Sequence, residues 1–164
     1  MTIPAPFAEA TAEVLPAWID DNGHMNVGYY LVAFDDATVP FFRWLGFTRE
    51  LRERTGGSTF ALEAHLTYAR EVLAGDPLRF EARLLDFDHK RVHYYQEMFH
   101  ARDGFLAATY ESISSFVDMS TRRTAPIPEE LAGRLAHILA EHRKLPRPWQ
   151  VGHTIATRPA PGGR

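Results

Sequence analysis

Cysteine is absent from all 164 residues, which excludes disulfides and any zinc site built on thiolates. No stretch comes near the roughly 18 apolar residues needed to span a bilayer. The first residues, Met1 to Pro6, lack the basic and apolar segments of a secretory leader. Neither sign of charge dominates: 18 Lys and Arg stand against 21 Asp and Glu, so no basic face predicts a nucleic acid partner. There is no internal repeat and no second domain. These absences predict a soluble cytoplasmic protein without membrane association. The remaining composition, 45% hydrophobic and 24% charged, is that of a globular domain long enough to bury a core.

What is present is concentrated polarity. Asp20-Asp21-Asn22-Gly23-His24-Met25-Asn26 packs two carboxylates, a glycine, an imidazole and two carboxamides into seven residues, and an apolar-periodic segment follows at once. Val27, Tyr30, Leu31, Phe34, Ala37, Thr38, Phe41 and Leu45 recur at three- and four-residue steps, which predicts a long helix. Asn26 suits its N-cap and Gly46 its stop, while Pro40 inside the pattern should kink or split it. Its many aromatics predict a helix covered on most of its surface. The polar cluster thus falls at a helix N-terminus, where unpaired N–H groups and the dipole favour negative charge.

The rest of the chain reads mostly as strands. A strand interrupted by Pro16 is expected over Thr11–Ile19, and a short helix over Thr48–Arg54. Four strands follow: Thr59–Tyr68, Leu78–Leu84, Lys90–Arg102 and Phe105–Met119, with turn signals at Gly75-Asp76-Pro77 and Asp103-Gly104. Pro128–Lys144 reads as an amphipathic helix. Residues 1–144 are expected to form one domain, and the proline- and glycine-rich residues 145–164 a tail that wraps the body or stays disordered. The expected class is α+β: an antiparallel sheet of about five strands curled around one apolar helix. Its edges and uncovered face predict dimerisation.

This element order, with Asp20-Asp21-Asn22-Gly23-His24-Met25-Asn26 and Tyr30, resembles the hotdog-fold acyl-CoA thioesterases of the 4-hydroxybenzoyl-CoA thioesterase type over roughly residues 10–125. Trp18-Ile19-Asp20, Phe34-Asp35, Lys90-Arg91-Val92-His93 and Ala108-Thr109-Tyr110-Glu111 are similar to the betainyl-CoA thioesterases of carnitine degradation. The resemblance implies a curved five-stranded sheet around a central helix, a homodimer or higher homo-oligomer, and hydrolysis of a short or small polar acyl-CoA. It implies no metal and no cofactor beyond the coenzyme A of the substrate.

Thioester hydrolysis needs a base or nucleophile near the carbonyl carbon and donors aimed at its oxygen. The resemblance assigns the first role to Asp20, three residues before Gly23. Asn22 and His24 stand at the Asp-x-Asn-x-His spacing of related plant acyl carrier protein thioesterases, so His24 is a candidate acid or base and Asn22 a candidate for orienting water. Taken singly, each of these residues is equally a cap or turn residue. Gly23, Asn26, Val27 and Tyr30 are the expected substrate contacts, Val27 through its backbone N–H. Glu63 is a second candidate carboxylate, placed by alternation on one face with Ala61, His65 and Thr67; it either reaches a partner's helix start in a dimer or belongs to a solvated polar strand face. Lys90 and Arg91 are candidates for the coenzyme A phosphates, or charges on an exposed hairpin. Trp44, Tyr29, Phe34 and Tyr94 suit either a trimethylammonium group or the core. Asp20, Asp21 and His24 lack any regular zinc spacing. A hydratase or dehydratase remains an alternative, weakened because its usual Asp-x-Asn-Pro-x-His string is one residue longer. A non-catalytic acyl-CoA-binding dimer is another.

Overall fold

The computed structural model describes residues 2–157. The element order is β1 (Phe7–Glu13), a short 3-10 turn (Pro16–Trp18), α1 (Val27–Leu45), α2 (Arg49–Thr55), β2 (Gly57–Tyr68), β3 (Pro77–Phe87), β4 (Arg91–His100), β5 (Leu106–Asp118), β6 (Arg123–Thr124) and α3 (Glu129–His142). The strands form one antiparallel sheet in the order β1-β3-β4-β5-β2, with the two-residue β6 beside β5. This is the hotdog arrangement.

Helix α1 is defined by chemistry at both ends. The Asn26 side-chain oxygen accepts the Gly28 N–H at 3.0 Å. At the other end Gly46 takes φ 115°, and the N–H groups of Gly46 and Phe47 both close on the Phe42 carbonyl, at 3.1 and 2.9 Å. Pro40 does not split the helix. The N–H that it lacks would have met the carbonyl of Asp36, an exposed residue. One face of α1 buries Tyr30, Ala33, Phe34, Ala37, Phe41, Phe42 and Leu45. Phe34 stacks on Tyr110 (5.3 Å between centroids) and meets Phe80 edge-on, while Phe42 meets Tyr94 edge-on at 4.9 Å. The inner sheet face and this stripe make the core.

Several expectations are corrected. The first strand lies earlier than Thr11–Ile19, and Pro16 opens the 3-10 turn instead. The single chain does not cover α1 on most of its surface: Val27, Leu31, Val32 and Val39 remain exposed. In β2 the register shifts between Ala61 and Glu63. That bulge puts Ala61 on the inner face, opposite Ser114, and Glu63 on the outer face, opposite Ile113. Ala61 and Glu63 therefore do not share a face as simple alternation predicted. Helix α3 packs Leu131, Leu135, Ile138 and Leu139 inward, and the Arg134 guanidinium donates to the last carbonyls of α1, Trp44 (2.6 Å) and Leu45 (3.1 Å). Residues 145–157 lie across the outer face of the sheet, anchored by the Arg83 side chain donating to the Pro146 carbonyl at 2.9 Å. The end of the expected tail, 158–164, falls outside the described residues. Among the described residues no helix is long and apolar enough to cross a membrane.

Candidate active site

The polar cluster is a closed turn laid against the start of α1. The Asp20 N–H donates to the His24 carbonyl (3.1 Å), and the Gly23 N–H donates to the Asp20 carbonyl (2.9 Å), with Gly23 at φ 83°. A left-handed glycine is what lets the chain reverse in so few residues. Ile19 bridges Met25, the Asn26 N–H donates to the Trp18 carbonyl (2.8 Å), and the Met25 N–H to Val72 (3.0 Å). The fully buried Met25 side chain anchors the loop to the core.

This turn fixes the functional groups. Asp20 is half-buried, and one carboxylate oxygen accepts the Asn22 N–H at 2.8 Å. The other oxygen has no such tether. Asn22 itself is exposed at the tip of the turn. His24 donates through Nδ1 to the Met25 carbonyl at 3.2 Å, which leaves Nε2 outside that bond. At the helix start, the Gly28 N–H is taken by Asn26 and the Tyr29 N–H by the Asn26 carbonyl (3.0 Å). The Val27 N–H, first in the helix, has no intrahelical partner by position. It is the open donor of the mouth.

Tyr30 and Tyr68 close one side, ring centroids 5.2 Å apart, and the Tyr68 hydroxyl donates to the Val27 carbonyl at 3.4 Å. Burial pushes the phenols of both up, so both keep their protons. Trp18 and Tyr29 stack at 5.8 Å on the same mouth. Among the other expected aromatics, Phe34 and Tyr94 are core, and Trp44 stacks on His142.

Asp20, Asn22, Gly23, His24, Asn26, Val27 and Tyr30 are thus brought together. Glu63, Lys90 and Arg91 are not. Glu63 lies on the sheet face turned away from α1, five residues up β2 from Tyr68, a rise of roughly 17 Å along an extended strand. Lys90 and Arg91 occupy the β3–β4 turn at the other end of α1: the Lys90 carbonyl accepts the Phe116 N–H, and the Phe116 ring meets Phe47 just beyond the helix stop. A helix of 19 residues separates them from Asp20 by roughly 28 Å. Arg91 is moreover tied to Asp88 through Nε (2.8 Å) and Nη2 (2.6 Å), which draws the Asp88 carboxyl down to about 2. Sequence reasoning did not name Tyr68 or Val72 at the mouth; their contacts span about 40 residues, and no local pattern signals them. It also missed the pairing of His93 with Glu111 at 2.7 Å, although both lie in the segments similar to betainyl-CoA thioesterases.

Known proteins repeat this frame. A hypothetical protein of Staphylococcus aureus, solved in complex with CoA, superposes with a TM-score of 0.84 at 30% identity, covering 96% of this chain and 100% of the other. The betainyl-CoA thioesterase of Pseudomonas aeruginosa is 34% identical over 146 residues, 89% of this chain and 92% of that one. An L-carnitine dehydrogenase/betainyl-CoA thioesterase of Agrobacterium fabrum is 34% identical over 144 residues, of which this chain spans 29% of the length. The model of the thioesterase-like superfamily matches residues 14–135. That match takes in the Asp20 turn, α1 and the whole β2–β5 sheet, and the chain belongs to the thioesterase-like superfamily.

Proposed function

We propose that this acyl-CoA thioesterase hydrolyses a small polar acyl-CoA, with betainyl-CoA as the foremost candidate, at the mouth of α1 and with Asp20 as base or nucleophile. One observation carries the reading. A half-buried carboxylate, pinned through a single oxygen, stands in the turn that leads directly to an open helix N–H.

With Asp20 as base, its free oxygen takes a proton from water while the water oxygen attacks the thioester carbonyl carbon. Charge grows on the carbonyl oxygen, where the Val27 N–H and the positive end of the α1 dipole stabilise it. Collapse expels the coenzyme A thiolate, which recovers a proton. As nucleophile, Asp20 would instead form a mixed anhydride that water then cleaves. His24 Nε2 and the Asn22 side chain border the same turn and suit the proton transfers and water placement. Gly23 and Asn26 keep the backbone close to the thioester, and Tyr30 forms the inner wall. The stacked Trp18–Tyr29 pair offers faces to a trimethylammonium group, an attraction of about 0.5–2 kcal/mol. The name of the Pseudomonas relative supports that acyl group.

The site opens beside the free edge of β2, and a second copy along that edge would wall it. Such edge pairing would keep the two sheet faces distinct and leave Glu63 on the outer face, away from this chemistry. Lys90 or Arg91 of such a second copy would approach the mouth more closely than those of the same chain. The test is release of free thiol from a panel of CoA esters that includes betainyl-CoA. Asp20→Asn should lower kcat by about 10²–10⁴-fold with an unchanged circular dichroism spectrum. Full activity in that variant would remove Asp20 from the mechanism.

A further inference from the structure

The face of the sheet turned away from α1 carries a cleft of about 500 Å³, within the range of small-molecule sites. Strand registers build its floor. His93, Ile113 and Glu63 stand side by side across β4, β5 and β2, with Tyr95, Glu111 and His65 in the next row. The C-terminal segment makes the wall. The Gly152 N–H donates to Glu111 Oε2 at 2.7 Å, the His153 ring lies parallel to His65 with centroids 6.1 Å apart, and Trp149 meets His153 edge-on at 5.1 Å. Ile155 completes the rim.

Two carboxyl groups stand out in this lining. Glu111 meets the Gly152 N–H through one oxygen and His93 Nε2 through the other, both at 2.7 Å, so its carboxyl group is held in a fixed orientation, with its side chain 14% exposed. The Glu63 carbonyl accepts the Ser112 hydroxyl at 2.8 Å, while its carboxylate has no hydrogen bond or ion pair among the described residues. Among the described residues no Lys or Arg lines the cleft, and its two formal charges are the carboxylates of Glu63 and Glu111. A metal ion is also a poor occupant: among the described residues no group of three His, Asp or Glu converges closely enough to hold one. What remains is a pair of carboxylates, three imidazole rings and the apolar side chains of Ile113 and Ile155. Carboxylates beside ring faces and an apolar wall suit a positive charge that is weakly hydrated and attached to carbon.

We propose that this outer-face cleft binds a small organic cation, its ammonium group set between Glu63 and Glu111 and its apolar portion against Ile113 and Ile155. The sheet separates it from the Asp20 turn, so it is a second site and does not rest on the thioesterase mechanism.

The experiment titrates the full chain with tetramethylammonium chloride and with butyltrimethylammonium chloride at constant ionic strength, following the ring resonances of His65, His93 and His153 by NMR. Saturable shifts of all three are expected, with the butyl compound binding more tightly. Glu63→Gln, on the surface and harmless to folding, should weaken both ligands at least tenfold. Ile155→Ser should erase the advantage of the butyl chain while leaving tetramethylammonium binding within twofold. Absence of saturation, equal saturation by sodium acetate, or undiminished binding in Glu63→Gln would each overturn the proposal.

Discussion

His142 shows what a single side chain holds together here. Its Nδ1 accepts the Leu84 N–H at 2.8 Å, its Nε2–H donates to the Pro4 carbonyl at 2.9 Å, and its ring stacks on Trp44. One imidazole thus ties α3 to β3 and to the N-terminal segment. The arrangement requires the neutral ring, because an imidazolium has no lone pair for Leu84. Burial pushes the His142 pKa down. The unfolded chain takes up the proton at about 6.5, the ordinary histidine value, whereas the folded chain resists it. The contribution is therefore complete above about 6.5 and lost as pH falls through the lowered folded value. Urea midpoints should be lower at pH 5 than at pH 7.5, and the gap should narrow in His142→Gln. An equal gap in both proteins would assign the pH dependence to other groups. At this scale the sequence was readable only where partners are near neighbours. Asp20 with Asn22, Gly23 with Asp20, and Asn26 with Gly28 are contacts within three residues, and turn and cap chemistry announces them. His142 with Leu84 spans 58 residues and His93 with Glu111 spans 18, so their meeting depends on register, which composition does not encode.

Elements were legible where their ends carry specific chemistry. Asn26 and Gly46 delimit α1 as cap and stop, and Gly46 gives a sharp test of why. Its φ is 115°, and a Cβ there would stand 2.7 Å from Leu131 Cδ1 and 3.3 Å from Arg134 Cδ. Gly46→Ala therefore meets both a backbone penalty and a clash with α3, together about 2–4 kcal/mol of stability. Gly23→Ala meets only the backbone penalty, about 1–2 kcal/mol, since at φ 83° its Cβ has nothing within 4 Å. Denaturant unfolding should rank Gly46→Ala as the more damaging change. The order of thioesterase activity should be reversed in the surviving folded fraction, because Gly23 shapes the turn that holds Asp20. A smaller loss of stability in Gly46→Ala than in Gly23→Ala would contradict the α1–α3 contact. Elements misread from sequence lacked such signals. The first strand is an edge strand with a register shift between Phe7 and Ala10, so its burial pattern does not alternate cleanly. The β2 bulge likewise falls among Ala61, Leu62 and Glu63, with no glycine to mark it.

For the whole molecule the decisive feature is the unpaired edge of β2. Among the described residues, the twelve-residue strand has no partner on this side for its outward-pointing backbone groups, and is flanked by Phe60, Leu62 (57% exposed) and Tyr68. Alongside runs the uncovered part of α1: Val27, whose carbonyl accepts the Tyr68 hydroxyl, then Leu31 and Val39. Val39 shares a groove with Phe42, Thr59 and Phe116. Natural proteins blunt exposed edges with charge, proline or a cover, and among β2's own residues only Glu63 and His65 are ionisable or strongly polar in mid-strand. A second copy would satisfy backbone and apolar surface at once. Antiparallel pairing of two β2 edges about a two-fold axis with full overlap would set Gly57 of one chain opposite Tyr68 of the other. The Val39–Phe42–Thr59 groove of each chain would then abut the Asp20 mouth of its mate. Sequence alone predicted a dimer from sheet edges in general; the exposed residues of α1 and β2 make the β2 edge the one that a second copy would cover. Light scattering should give twice the 18.6 kDa chain mass. The double variant Leu31→Asp/Leu62→Asp should give the single mass with its far-ultraviolet dichroism retained and its kcat/KM reduced at least tenfold. A wild-type chain that runs at 18.6 kDa while fully active would place a complete site within one copy, and the free edge of β2 would then need a different cover.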